Sequence, residues 1–292
     1  MSASVEMKLQ AAATEGRTLE VSTLLKNHPD LDVNSATGND QATALHWASD
    51  YGHVEVVKLL LAHPNISVNV KNTFGITPFS YAVTHGHVLV VRELLKDPRV
   101  DVKLAEERGC TPLWFAAYYG FLEVVEWLIA SGRDLGHLGK RGEWSGNEYT
   151  ALEIARRRVK TGVALVLERF MTNPAQTRHE VRVKLGVLNA LAAEIFALVV
   201  FLCDELLQFK PAALAASTTA RRRFFTIAKK LPMDLQMILC HRTVGSMKQN
   251  ISSNNSEAAF KSLARIQTVV TTPPNSTSES NHDVGGKRCI IN

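Results

Sequence analysis

An all-helical repeat solenoid, followed by a helical C-terminal domain and a disordered tail, is the fold class that this sequence predicts. Three observations lead there. Three segments align without gaps, from Thr43, Thr77 and Thr111, at spacings of 34 residues. Each carries turn and cap residues at the same offsets. After Pro174 the period is lost while apolar helical spacing continues. A fixed period of this length marks stacked supersecondary units, none of which can bury its apolar face alone.

The segments are TALHWASDYGHVEVVKLLLAHPNISVNV, TPFSYAVTHGHVLVVRELLKDPRVDVKL and TPLWFAAYYGFLEVVEWLIASGRDLGHL. A degenerate copy precedes them from Leu9, and another begins at Thr150, five residues late, which makes about five repeats. Thr77 and Thr111 occupy helix N-cap positions, with Pro78 and Pro112 at the first helical position, where no amide proton is missed. Gly52, Gly86 and Gly120 suit the left-handed closure of that first helix. A second helix follows with apolar spacing, as in Val56, Leu59 and Leu60. His28-Pro29, His63-Pro64 and Asp97-Pro98 stop it, because the residue before proline avoids helical geometry. The stretches LDVN, ISVN and VDVK after it are expected to run extended, into fingers.

Composition agrees with a globular chain: 46% hydrophobic and 21% charged among 292 residues. The charge is uneven. Residues 1–150 hold 13 Lys+Arg against 18 Asp+Glu, hence −5, and residues 151–292 hold 20 against 10, hence +10. The four cysteines include no CxxC pair, which excludes a thiolate zinc cluster and a disulfide scaffold. The start, MSASVEMKLQ, has no basic and apolar leader, so a reducing, cytoplasmic setting is expected, with the nucleus also open. No HExxH, P-loop, GxSxG or kinase signature occurs, so no enzyme activity, cofactor or metal site is expected.

These repeats resemble the ankyrin-repeat family. The TPLH helix start appears as Thr43-Ala44-Leu45-His46, Thr77-Pro78-Phe79-Ser80, Thr111-Pro112-Leu113-Trp114 and Thr150-Ala151-Leu152-Glu153. The continuation appears as GHVEVV at 52–57 and GHVLVV at 86–91. The resemblance spans residues 4–172. Since His46 alone keeps the family's histidine, weaker capping is expected in the other repeats. Residues 132–149, with five glycines, are expected to form an enlarged finger tip.

The resemblance implies a protein partner held on a concave face of finger tips and first-helix surfaces. Carried onto this chain, the family's contact positions are Asp50 and Tyr51; Thr73, Phe74, Ile76, Thr84 and His85; and Glu107, Arg108, Cys110, Tyr118 and Tyr119. Tyr51, Phe74, Tyr118 and Tyr119 are candidate anchors, and the alternative for them is packing against the next finger. Trp47, Tyr81, Phe115 and Trp127 are expected to face neighbouring repeats. A monomer is expected.

Beyond Pro174, helices are expected near 176–209, 218–231, 233–248 and 256–266, as a domain over 176–266, with a tail over 267–292. The apolar run 185–203 approaches bilayer length, but Glu194 near its centre favours burial. Leu231, Pro232, Asp234, Leu235 and Leu239 resemble the opening of an F-box, which would recruit a ubiquitin-ligase component. The 180–265 region looks like fungal ankyrin-repeat proteins. The basic groups Arg156–Arg158, Arg221–Arg223 and Lys229–Lys230 suit solvated helix faces or an anionic membrane surface better than nucleic acid. The chain ends Cys289-Ile290-Ile291-Asn292, a CaaX-like pattern in which Cys289 would accept a prenyl chain.

Overall fold

In the computed structural model, the described residues are 4–203, 207–209, 228, 233–244, 251, 255–259, 261 and 289–291. The chain divides into two compact units, Met1–Val181 and Arg182–Asn292. The boundary therefore falls inside a helix, later than the repeat period suggests.

The first unit stacks five helix pairs. They are α1 (Val5–Thr14) with α2 (Thr18–Asn27), α3 (Ala44–Asp50) with α4 (Val54–Leu61), α5 (Pro78–Thr84) with α6 (Val88–Lys96), α7 (Pro112–Tyr119) with α8 (Leu122–Ser131), and α9 (Ala151–Arg157) with α10 (Thr161–Thr172). First helices pack in one row and second helices in another. The first row stacks on small buried residues, among them Ala13, Ala48, Ala82, Ala116 and Ala155. The second row buries Val56, Val57 and Leu60, then Val90, Val91 and Leu94, then Val124, Val125 and Leu128. Each such side chain contributes about 1.5–3 kcal/mol on burial.

Caps begin the first helices as the sequence predicts. Thr77 and Thr111 hydroxyls accept from the Ser80 and Trp114 amides at 3.2 Å each. At His46 the capping extends between repeats. The Thr43 amide donates to Nδ1 at 3.0 Å, and Nε2 donates to the Ile76 carbonyl at 3.1 Å. The expected weakening elsewhere is only partial. Trp114, at the same position in the fourth repeat, donates its indole N–H to the Tyr149 carbonyl at 2.8 Å. Glu153 keeps a capping box, accepting from the Thr150 amide at 2.8 Å while its own amide reaches the Thr150 hydroxyl at 3.2 Å. Ser80 bonds only locally, its hydroxyl 3.0 Å from that of Thr77.

Closely packed left-handed turns end the first helices. At Gly86, φ is +70°, and an added Cβ would lie 2.8 Å from the Phe121 ring. In the fifth repeat the turn falls on Val159, with φ +57° and 76% exposure. A β-branched residue is strained there.

The LDVN and ISVN stretches form turns rather than extended strands. Their asparagines clasp the next repeat: Asn34 binds the Asn65 carbonyl and Ser67 amide at 2.7 Å each, and Asn69 binds the Arg99 carbonyl and Asp101 amide at 2.8 Å each. Second helices are held at their C-termini by arginines from later elements. Arg99 donates to Leu61 O at 2.9 Å, and Arg133 donates to the carbonyls of Leu95, Asp97, Pro98 and Val100. Arg178 donates to Ile129 O at 3.2 Å. A cation at a helix C-terminus meets both unpaired carbonyls and the negative end of the helix dipole.

Arg178 lies on α11 (Pro174–Lys184), which buries Thr177 and Val181 at the end of the array and pairs Glu180 with Arg169. The single helix expected over 176–209 is broken at Gly186, where φ is +70°. In the second unit, α12 (Val187–Cys203) buries Leu188, Ala192, Ala193, Phe196 and Ala197. Met237, Leu239 and Cys240 of α13 (Met233–Thr243) pack against that face. Burial pushes the Cys240 thiol up to about 12. No helix among the described residues is long and apolar enough to cross a membrane.

Strand β3 (Leu207–Phe209) pairs in parallel with β4 (Cys289–Ile291), so part of the stretch expected as a tail joins a two-stranded sheet. Of the F-box-like residues, Leu235 is exposed and Leu239 is packed, while Leu231 and Pro232 lie outside the described residues. So do Arg221–Arg223, Lys229–Lys230 and residues 267–288.

Candidate partner-binding face

Two of the fingers are tight turns, each held by one polar side chain at its base. In the third repeat, the Asn72 carboxamide oxygen accepts from the Phe74 amide at 3.0 Å and the Ile76 amide at 2.9 Å. One period later, a Glu106 carboxylate oxygen accepts from the Arg108 amide at 3.0 Å and the Cys110 amide at 3.1 Å. The turns thrust Phe74 and Arg108 outward, and backbone bonds join neighbouring fingers. Thr73 N donates to Asp40 O at 3.0 Å, Glu107 N to Phe74 O at 3.4 Å and Glu143 N to Arg108 O at 2.9 Å.

The insertion supplies the next finger as a hairpin. Strands β1 (Arg141–Trp144) and β2 (Asn147–Thr150) pair antiparallel, with Trp144 opposite Asn147. Ser145 and Gly146 form the two-residue turn with φ of +52° and +74°, the sign that matches the twist of paired strands. The enlarged finger tip expected over 132–149 is thus a strand pair that delivers an aromatic side chain.

Fingers and first helices together line a groove of about 360 Å³. Seven of the twelve residues expected at the contact face contribute to it: Phe74, Ile76, Glu107, Arg108, Cys110, Tyr118 and Tyr119. The other lining residues include Glu106, Trp114, Phe115, Glu143 and Trp144. Phe74 is 51% exposed and Tyr119 43%. Tyr118 is only half-buried, yet it has neighbours on several sides. It stacks on Trp114 at 5.4 Å and meets Tyr119 at 4.8 Å and Trp144 at 5.7 Å. Its ring organises the groove as much as it faces outward.

Cys110, expected as a contact, lines the groove as a buried residue. It is 3% exposed, with its Sγ 3.7 Å from the Glu143 carbonyl, and an added Cβ on Gly142 would lie 2.6 Å from that sulfur. Burial, with Glu106 adding to it, pushes the thiol up to about 12, so it is a packing residue and a poor nucleophile. Thr73 and Thr84 are tied up internally, their hydroxyls donating to Asp40 O at 3.2 Å and Ser80 O at 2.8 Å.

Asp50, Tyr51 and His85 form a second cluster. His85 Nδ1 lies 2.8 Å from an Asp50 carboxylate oxygen, and His87 Nε2 donates to the Asp50 carbonyl at 2.7 Å. Burial raises the Asp50 carboxyl above its ordinary value, opposed by the two histidines. Tyr51 is 53% exposed and stacks on His53 at 6.3 Å, while His85 stacks on Tyr81 at 6.4 Å. Trp47 and Phe115 are half-buried in the array, as is Trp127 beneath Arg92 at 4.5 Å. Among the described residues, no group of three or more His, Cys, Asp or Glu is placed to hold a metal.

Sequence reasoning missed Trp144. The signal was present: Ser145-Gly146 is a hairpin-type dipeptide between two four-residue stretches. It also treated Arg157 and Arg158 as a solvated basic run, whereas both lie over aromatic rings.

Residues 6–72 and 64–138 match a family model described as ankyrin repeats in three copies. No curated protein matches the chain. The repeat unit is an ankyrin-repeat solenoid, whose repeats indicate a protein-interaction module.

Proposed function

We propose, from ankyrin repeats matched over residues 6–138, that this chain is a scaffold that holds a protein partner on its finger face, with Phe74, Tyr119 and Trp144 as the principal contacts. One observation carries this reading. Phe74 and Tyr119 stay solvent-exposed around a formed aromatic groove, although nothing in the stacking of the repeats requires large apolar side chains there. Rigid aromatics of this kind dominate binding energy at protein interfaces. Tyr51, in the neighbouring cluster, extends the same face.

The setting we propose is cytoplasmic, supported by the free, buried thiols of Cys110 and Cys240. The resemblance of 180–265 to fungal proteins belongs to the same proposal. The ligase-adaptor and lipid-anchor alternatives rest on Leu231–Leu239 and on Cys289, and the groove bears on neither.

Affinity capture with the full chain tests the reading. The Phe74→Ala/Tyr119→Ala variant should lose the partners that the unmodified chain retains, and Leu89→Ala, at an exposed site on α6, should keep them. Tyr118 stays intact because its ring packs the groove floor. Equal capture by all three proteins would refute the finger face as the site.

A further inference from the structure

Beside the groove, two guanidinium groups of the last repeat each lie over two aromatic rings. Arg157 lies over Tyr149 at 5.3 Å and over Trp144 at 5.8 Å. Arg158 lies over Trp144 at 5.8 Å and over Tyr118 at 4.7 Å. The rings also meet one another at an angle, Tyr118 and Trp144 at 5.7 Å and 60° and Trp144 and Tyr149 at 6.4 Å and 57°, so both guanidinium groups lie against one aromatic cluster. Both arginines are exposed, and among the described residues neither is within ion-pair distance of a carboxylate. Their neighbours differ: Arg156 is held by Glu168 at 2.7 Å and Arg141 by Glu153 at 3.1 Å.

This arrangement has a chemical consequence. A ring face attracts a guanidinium through its quadrupole without taking up its N–H donors, which remain for a ligand. Both groups lie over the same indole, and an oxyanion that reaches their free N–H edges accepts charge-assisted hydrogen bonds from them. We infer that Arg157 and Arg158 form an anion-binding pair for a carboxylate or phosphate group of the protein partner. The inference rests on the finger-face reading and deepens it.

The surroundings select a peptide over a polyanion. Tyr118 and Trp144 belong both to the cluster under the two arginines and to the groove, and the groove beyond them carries exposed Glu107 and Glu143. Those carboxylates repel a nucleic-acid backbone or an anionic lipid surface, but leave room for one apolar side chain with one acidic group beside it.

The test titrates the full chain with phenyl phosphate, phenylacetate, inorganic phosphate and benzyltrimethylammonium, following the Trp144 indole N–H by nuclear magnetic resonance. Phenyl phosphate or phenylacetate should shift that signal saturably, and the tighter of the two assigns the partner's group as phosphate or carboxylate. Arg157→Gln/Arg158→Gln should weaken binding at least about tenfold, whereas Arg156→Gln should leave it within about twofold. Should the glutamine pair fail to fold, Arg157→Lys/Arg158→Lys must weaken binding at least about threefold, since an ammonium lacks the flat fork. An absent shift, undiminished binding by the double variants, or tighter binding of benzyltrimethylammonium would overturn the inference. Partner capture separates the two claims. Capture that survives Arg157→Gln/Arg158→Gln but not Phe74→Ala/Tyr119→Ala removes the anion pair alone. Capture that survives the aromatic variant while phenyl phosphate still binds removes the finger-face reading alone.

Discussion

Acid should weaken this solenoid through His46, and the size of the effect follows from its burial. The imidazole is fully enclosed, accepting from the Thr43 amide and donating to Ile76 O. Desolvation, the main cause, lowers its pKa from 6.5 to about 4, against smaller upward contributions from the carbonyls of Ile76 and Val70. Below 6.5 the unfolded chain takes up a proton that the folded chain refuses until about 4. Stability carried by this group is therefore complete above 6.5, falls as pH drops through the window, and levels off below about 4. At about 1.4 kcal/mol per pKa unit, the loss between pH near 7.5 and pH near 4.5 is about 2.5 kcal/mol. Chemical denaturation of the full chain and of His46→Gln at the two pH values isolates it. Asp97, Asp134 and Glu153, held below their usual values by Arg99, Lys103 and the Thr150 amide respectively, also lose stability in acid. They are common to both proteins and cancel in the comparison. The glutamine variant should start less stable at neutral pH, yet lose about 2.5 kcal/mol less on acidification. Identical pH dependence in the two proteins would show that the histidine is not held neutral by burial, and the reasoning would fail.

Two further outcomes test the packing. Val159→Gly should raise the melting temperature, because removing a β-branched side chain from φ +57° relieves about 1–2 kcal/mol while glycine's extra backbone entropy returns about 0.5–1 kcal/mol; a lower melting temperature would contradict the strain. Arg133→Ala should cost roughly 1.5–3 kcal/mol in chemical denaturation, since one carbonyl in the last turn of α6 and three after it lose a charged donor, and Arg133→Lys should restore less than half; full rescue by lysine would deny the role of the guanidinium fork.

Much of this face was legible before any coordinates. Local rules place Thr77 and Thr111 at helix starts, and the period then puts Phe74 and Arg108 at equivalent finger tips and Tyr51, His85 and Tyr119 at the ends of first helices. Positions fixed by a repeat can be read from one copy to the next, because each copy meets the same neighbours. Cys110 was misread for a related reason. Its position is a finger position, but its exposure depends on Gly142 of the insertion packing over it, and the insertion is where the period is interrupted.

What the chain determines by itself is the repeated frame: caps at Thr77 and Thr111, left-handed turns at Gly52, Gly86 and Gly120, and the alternation of two helix rows. These follow from interactions within a few residues, or one period apart. What only the tertiary structure decided is how unlike residues substitute for one another across that frame. Trp114 does over distance what His46 does two repeats earlier, each donating to the carbonyl before the next cap. Tyr118 is drawn into the groove floor while Tyr119 stays open, and the basic run at 156–158 splits between an ion pair and contacts over aromatic rings. The physical reason is common to all three. Hydrogen-bond reach, ring contact and charge pairing depend on which side chains meet in space: Trp114 reaches the Tyr149 carbonyl, Tyr118 meets Trp144 and Arg158 lies over Tyr118 only because the repeats stack, and Arg156 meets Glu168 only because the two helices of its own repeat pack together.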